Sequence, residues 1–194
     1  MDVTSTRGPG RPRDPRIDEA VLDAARELLV EFGYTRLSYE RIAQRAGVSR
    51  PALYRRWPTK AHIVHDAVFP RPTEDLVPTG GSFEDDLRRM IARTLASYAR
   101  PEARIAVPGL LTDLDDAARR HDVIDRLQQP VRTELAARIA VAVADGEVRE
   151  GTDADLLLDT MVGALIQRVV AQQDPDPAFG EQLADLLLDG LRPG

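Results

Sequence analysis

The sequence predicts an all-α protein in which a domain of short helices precedes a domain of longer ones. Apolar residues recur every three or four positions along most of the chain, which is the spacing of one helix face. No segment alternates apolar and polar residues with the β-branched and aromatic enrichment that is typical of strands. Residues 70–81 carry three Pro and two Gly and predict a linker, which separates domains at residues 17–69 and 82–194.

The first predicted helix spans residues 17–31. Its apolar residues fall on a single stripe, so one face of the helix is expected to pack against a core. Gly33 follows the stripe and is expected to end the helix, because glycine readily adopts the conformation found after helix C-termini. The stripe consists of Ile17, Val21, Ala24, Ala25, Leu28, Leu29 and Phe32.

Three short helices are predicted next. Ser38, Ser49 and Thr59 are the expected N-caps, because their side chains can accept a hydrogen bond from a free backbone N–H. Gly47 lies where the chain leaves the second helix, a position that often needs a positive φ. Pro51 is tolerated in the first turn of the third helix, where its missing N–H would be unpaired anyway. The predicted spans are 38–46, 49–57 and 60–69.

The second and third helices have the residue pattern of a helix-turn-helix. Ala43 is small where two crossing helices approach, Val48 fills the turn, and Leu53 packs back from the third helix. The third helix is short and presents small and basic residues, which suits a DNA major groove. The alternative is an αα-hairpin with solvated arginines. The outward-facing residues are Arg50, Ala52 and Arg55, with Tyr54 beside them.

Basic residues also occur on either side of this motif. Lys60 begins the fourth helix beside free backbone N–H groups, which together suit a phosphate. The N-terminal arm, residues 1–16, reads Gly-Arg-Pro between further arginines and resembles an AT-hook core, so Arg11 and Arg13 are expected to support binding in a minor groove or on phosphates. The alternative for the arm is a segment that only increases solubility.

Charge is unevenly distributed along the chain. Residues 1–60 contain 12 Lys and Arg against 8 Asp and Glu, whereas the whole chain has a net charge of −6. The rest of the sequence therefore carries −10. A basic end on an acidic body is expected where that end meets a polyanion, although uneven charge also occurs without a binding role.

The composition excludes several classes of protein. The absence of Cys excludes disulfides, Cys-ligated metals and Cys nucleophiles. No apolar run approaches the ~18 residues of a membrane span, and the N-terminus lacks the apolar core of a secretory signal, so a cytoplasmic protein is expected. No nucleophile elbow, P-loop or dinucleotide turn is present, so we expect neither an enzyme nor a cofactor. His62 and His65 are better explained as exposed or hinge-side histidines than as metal ligands, and the acidic residues of 112–122 as a solvated helix start.

Five further helices are predicted after the linker, and the last two carry apolar residues on more than one face. Such helices must be covered on both sides, either within one protomer or by a second subunit. Pro108-Gly109 is expected to disturb the helix at 102–114, and Pro130 to kink or break the helix at 116–144. The other predicted spans are 83–100, 153–172 and 177–191. The predicted interface residues are Leu157, Met161, Leu165, Leu183 and Leu187.

The segment AARELLVEFGYTRLSYERIAQRAGVSRPALYRRWPTKAHIV, residues 24–64, strongly resembles the DNA-binding domain of the TetR family of transcriptional regulators. Trp57 stands where relatives often carry Phe, and the C-terminal part resembles the family only in length and helical character. The resemblance implies a homodimer that binds a palindromic DNA operator and a small-molecule effector of unknown identity, with repression usually relieved by the effector. By motif position, phosphate contacts fall to Ser38, Tyr39, Tyr54 and Lys60, and base contacts to Arg50, Ala52 and Arg55, with Ser49 and Pro51 nearby.

The resemblance also implies an effector pocket among the helices at 83–100, 103–114 and 121–144. Aromatic residues are only 5% of the chain, which favours an aliphatic pocket. The competing class is a small-molecule binding protein whose helix-turn-helix no longer binds DNA. Arg50 and Arg55 argue against that class, because loss of DNA binding would most simply appear as an acidic or bulky third helix. The candidate lining residues are Met90, Thr94, Tyr98 and Leu110.

Overall fold

The computed structural model of the protein describes residues 15–69, 77, 80–113, 117–174 and 176–193. Within those ranges the chain forms nine α-helices and no β-strand, which confirms the predicted all-α fold. No helix there has the length and apolar character of a membrane span. The helices are α1 (Pro15–Arg36), α2 (Tyr39–Ala46), α3 (Arg50–Arg56), α4 (Lys60–Val68), α5 (Phe83–Ala99), α6 (Pro101–Asp113), α7 (Ala117–Ala144), α8 (Ala154–Val170) and α9 (Pro177–Leu191).

Helices α1 to α4 share one apolar core. Gly33 interrupts α1 with φ 76° and ψ 169°, so the regular part of the helix ends where the sequence predicts. This backbone conformation favours glycine, because a positive φ is sterically costly for residues that carry a side chain. The largest fully buried side chains of this core include Val21, Leu29, Ile42, Leu53 and Ile63.

The predicted caps of the short helices are confirmed in two of three cases. The Ser38 hydroxyl accepts from the Arg41 N–H at 3.3 Å, and the Thr59 hydroxyl accepts from the His62 N–H at 3.4 Å. Ser49 occupies the N-cap position of α3, but its side chain makes no capping hydrogen bond, and the helix begins on its backbone carbonyl instead. Its exposed hydroxyl is therefore not used by the helix.

Helices α5, α7, α8 and α9 form a second core. Helix α7 continues through Pro130, where the sequence predicts a kink or break, and α6 likewise continues through Pro108. A buried ion pair joins two of the helices: the Arg138 Nε of α7 donates to the Asp86 Oδ2 of α5 at 2.6 Å. The pairing satisfies two charges that would be costly to bury alone.

Helix α6 packs against both groups of helices. It contacts α1 and α4 on one side and α5 and α8 on the other. Ala103 and Ala106 belong to the core of the first four helices. Gly109 lies against the Tyr34 ring so closely that a Cβ there would be 2.2 Å from the ring atom Cγ. Among the described helices, α6 therefore makes the main contact between α1 to α4 and the C-terminal helices.

Candidate nucleic-acid interface

Helix α3 packs against the core on one side and is exposed to solvent on the other. Leu53 is its only buried residue and packs into the core of α1, α2 and α4. Gly47 adopts the left-handed conformation with φ 67° and ψ 29°, as predicted, and so lets the chain turn from α2 into α3. We call the outward residues Arg50, Tyr54 and Arg55 the α3 surface; all three are exposed, Tyr54 by 52%. Ser49 and Pro51 are exposed beside them, and Ala52 is half-buried.

The cations around α3 divide into paired and unpaired groups. Arg45 donates hydrogen bonds to Glu31 at 2.8 Å and to Glu27 at 3.0 Å on α1, which raise the pKa of its guanidinium group. In contrast, the α3 surface arginines form no ion pair with any residue that the structure describes. Unpaired, exposed guanidinium groups are the ones free to bind base edges or phosphates.

Tyr54 is positioned by a second tyrosine. The rings of Tyr39 and Tyr54 stack with centroids 4.2 Å apart and planes inclined by 20°. The Tyr39 hydroxyl donates to the Trp57 carbonyl at 2.6 Å, and burial, followed by the neighbouring Tyr54, raises its pKa. Its single proton is therefore committed to the backbone. Sequence reasoning places Tyr39 on a phosphate, whereas its geometry is that of a residue that positions Tyr54.

The angle of α3 is fixed at its C-terminal end. Trp57 is buried, and its indole N–H donates to the Asp66 Oδ2 of α4 at 2.8 Å. Sequence reasoning did not identify Asp66. A buried tryptophan needs an acceptor for its indole N–H. The sequence offers one in Asp66, a carboxylate about two turns into the next helix, and that position could have indicated the contact.

Lys60 lies at the first position of α4, as predicted, but its ammonium group contacts α1 and α6. The Nζ atom is 3.5 Å from the Asp113 Oδ2, 3.5 Å from the Tyr34 carbonyl oxygen and 4.0 Å from the centre of the Tyr34 ring. Sequence reasoning did not identify Asp113 as a partner of Lys60. Ser38 is exposed at the start of α2, and its hydroxyl hydrogen is available because the cap uses only its oxygen.

The candidate effector-pocket residues lie in different surroundings. Met90 is buried in the C-terminal core, while Leu110 packs against the core of the first four helices. Tyr98 contacts Phe69 with ring centroids 4.9 Å apart, and burial raises the pKa of its phenol to about 12. Thr94 donates its hydroxyl to the Met90 carbonyl at 2.7 Å. Three described cavities, of about 520, 230 and 180 Å³, are lined by other residues, so this lining stays a prediction.

The predicted subunit-interface residues lie inside the protomer. Leu157, Met161, Leu165 and Leu183 are buried in the C-terminal core, and Leu187 is half-buried against it. Buried side chains offer no surface to a second subunit, whereas neighbouring positions on both helices are exposed. The exposed stripe, which we call the α8–α9 surface, consists of Leu156, Thr160, Gly163, Gln167, Val170, Leu186 and Gly190.

Two further groups of sequence predictions concern other parts of the chain. Arg11 and Arg13 of the N-terminal arm lie outside the described residues, as does most of the predicted linker. Within the described ranges, no three His, Asp or Glu side chains come together as metal ligands would.

Known proteins resemble this chain along nearly its whole length. Residues 21–67 match the family described as bacterial regulatory proteins, tetR family, and residues 77–187 match the tetracyclin repressor-like C-terminal domain. The uncharacterized HTH-type transcriptional regulator YdeS of Bacillus subtilis is 30% identical over 85% of this chain and 84% of its own. The DNA-binding transcriptional repressor TetR of Mycobacteroides abscessus is 31% identical over 90% of this chain and 94% of its own.

Solved structures give the same result. The crystal structure of the TetR family transcription regulator SCO0332 is 30% identical, covers 92% of this chain and 100% of its own, and superposes with a TM-score of 0.66. FadR from Bacillus subtilis, in complex with stearoyl-CoA, also has a TM-score of 0.66 over 90% of this chain and 99% of its own, but at 20% identity it shares the fold alone. With similarity of this extent in both halves of the sequence, the chain belongs to the TetR family of helix-turn-helix transcriptional regulators.

Proposed function

We propose that the protein is a homodimeric repressor that binds a palindromic operator through the α3 surface and is released by a small-molecule effector. The observation that carries the proposal is the difference in ion pairing among the basic residues around α3. Three neighbouring cations, Arg45, Arg56 and Lys60, are paired with carboxylates of α1 and α6, while Arg50 and Arg55 project from a firmly anchored helix with no described ion-pair partner. Arginine forks of this kind bind guanine edges, and Tyr54 beside them suits a phosphate.

The homodimer is supported by the α8–α9 surface. Leu186 is exposed by 70% and Leu156 by 66%, and a cleft of about 180 Å³ runs between their two helices. A Cβ added at Gly163 or Gly190 would meet nothing within 4 Å, so both positions leave room for a second subunit to approach. Pairing this stripe with its own copy would produce an isologous interface, in which a two-fold axis relates the two α3 helices.

We infer that the effector binds among the C-terminal helices. The repressor of Mycobacteroides abscessus and the FadR complex with stearoyl-CoA are precedents for repression and for ligand binding in proteins similar to this one. The ligand would favour dimers in which the two reading helices no longer match major grooves about 34–36 Å apart. Met90, Thr94, Tyr98 and Leu110 remain the candidate lining. This function places the protein in the cytoplasm.

The proposal is tested with the full chain and duplexes that carry the palindromes upstream of its own gene. We expect one palindrome to bind more tightly than a scrambled duplex of the same composition, with affinity falling as salt rises. The double variant Arg50→Ala/Arg55→Ala should lose the preference. Binding to no duplex at low salt, together with a small-molecule ligand found in a thermal-shift screen, would instead support a binding protein with an inactive helix-turn-helix.

A further inference from the structure

Lys60, which we propose as a contact to DNA phosphate, already forms an ion pair with a residue of α6. Its Nζ lies 3.5 Å from the Asp113 Oδ2 of α6, and the Lys60 and Asp113 side chains expose 23% and 39% of their surfaces. The pair is therefore partly shielded from water, so its attraction exceeds that of a fully solvated pair at the same distance. A phosphate oxygen that needs the same ammonium group must compete with this carboxylate.

Asp113 is held in place by a second contact. The Tyr34 hydroxyl donates to the Asp113 Oδ2 at 2.6 Å, and the Tyr34 ring packs against Gly109, one turn earlier in α6. Burial, followed by the hydrogen bond to Asp113, raises the pKa of the Tyr34 phenol, so the phenol remains a proton donor. The carboxylate consequently points at Lys60 as long as the end of α6 stays against Tyr34.

The competition has a predictable direction. When DNA binds, the Lys60 ammonium must exchange a carboxylate for a phosphate, so the free energy of the ion pair is subtracted from the free energy of DNA binding. The Asp113 charge also repels a phosphate that approaches Lys60. Because α6 contacts α5 and α8 as well as α1 and α4, the position of its C-terminal end depends on both halves of the chain.

We propose that Asp113 competes with DNA phosphate for Lys60, so that the C-terminal end of α6 sets the affinity of the reading head for DNA of any sequence. This inference rests on the proposed DNA-binding function. Asp113 acts here as a positioning residue, since it works through Lys60 and touches no DNA itself.

The test is a double-mutant cycle on the full-length protein. Fluorescence anisotropy with the upstream palindrome and with a scrambled duplex compares the wild type, Asp113→Asn, Lys60→Ala and the combined variant. The Asn side chain keeps an oxygen for the Tyr34 hydroxyl but removes the charge. We expect Asp113→Asn to tighten binding roughly 1.5- to fivefold per reading head on both duplexes, with no gain in the Lys60→Ala background. Thermal stability should fall slightly, because the ion pair of the free protein is lost.

Two controls separate this effect from a general change in charge. Glu102→Gln removes the same charge from the opposite end of α6, where Glu102 lies near Arg100 at 3.8 Å, and its effect should be the same with or without Lys60. Asp113→Glu keeps the charge and should tighten binding less than Asp113→Asn. Equal gains from Asp113→Asn in both backgrounds, or no gain at all, would overturn the inference while leaving the proposed function intact. If the wild type binds neither duplex, the proposed function itself fails.

Discussion

The α3 surface and the α8–α9 surface are both exposed, but they differ in chemistry. The first carries Arg50 and Arg55 as solvated charges, and the second carries Leu156 and Leu186 as apolar side chains in water. Solvated charges are stable without a partner, whereas exposed apolar area favours association by about 25 cal/mol per Å² buried. In the proposed function, the first surface meets a transient, charged partner and the second a permanent, apolar one.

The largest effect is expected from a charge placed in the α8–α9 surface. Leu186→Asp puts a carboxylate where two apolar stripes would meet, so the homodimer should dissociate at micromolar concentration. A single reading head then binds one half-site, and affinity for a palindrome should fall by roughly 100-fold or more because the two half-sites no longer act together. Sedimentation velocity and DNA titration of the same preparation measure both results.

Val30→Asp is the matched control for this change. Val30 is exposed by 56% on α1, so the substitution replaces an exposed aliphatic side chain by the same carboxylate on a helix outside the α8–α9 surface. It should leave the sedimentation coefficient at the dimer value. A Leu186→Asp protein that still sediments as a dimer would show that the subunits associate through another surface.

A smaller effect is expected from the α3 surface, and it should concern sequence preference. Arg55→Ala or Arg50→Ala removes a guanidinium that can bind a base edge, which should cost about 1–3 kcal/mol on the preferred palindrome and less on other DNA. Self-association should not change. The control is Arg192→Ala at the end of α9, which removes an equal charge paired only with Asp189 in the described chain. An Arg55→Ala protein with unaltered affinity and preference would show that this side chain does not read bases.

The smallest effects separate the two stacked tyrosines. Tyr54→Phe keeps the ring on Tyr39 but removes an exposed hydroxyl, so DNA of every sequence should bind more weakly by about 0.5–1.5 kcal/mol at unchanged melting temperature. Tyr39→Phe removes the donor to the Trp57 carbonyl and should instead lower the free energy of unfolding by about 1 kcal/mol. Titrations and thermal melts of both variants compare the two roles, and a reversed pattern would exchange them.

Local chemistry made the α3 region predictable from the sequence. Gly47 and Ser38 have roles that depend on their immediate neighbours, a left-handed turn and an N-cap, so the sequence identifies them correctly. Asp113 could not be found in this way, because its partner Tyr34 lies 79 positions away in the sequence. Contacts over such separations depend on how helices pack, which no local pattern encodes.

The α8–α9 surface shows a different limit of sequence reasoning. Helix α8 has leucines at 156, 157 and 158, so apolar periodicity fits more than one face and does not say which face points inward. The structure places Leu157 in the core and Leu156 outside. The predicted spans of α8 and α9 agree with the structure to within two residues, but the rotation of each helix about its axis was not predictable.

A salt titration tests the central claim most directly. The full-length protein is titrated into its upstream palindrome by fluorescence anisotropy from low to high salt, and its sedimentation is measured in the same buffers. We predict that the logarithm of the DNA association constant falls linearly with the logarithm of salt concentration, while the protein sediments as a dimer throughout. Binding that does not weaken with salt, or no binding at the lowest salt, would contradict the account of the α3 surface as the part of the protein that reads DNA.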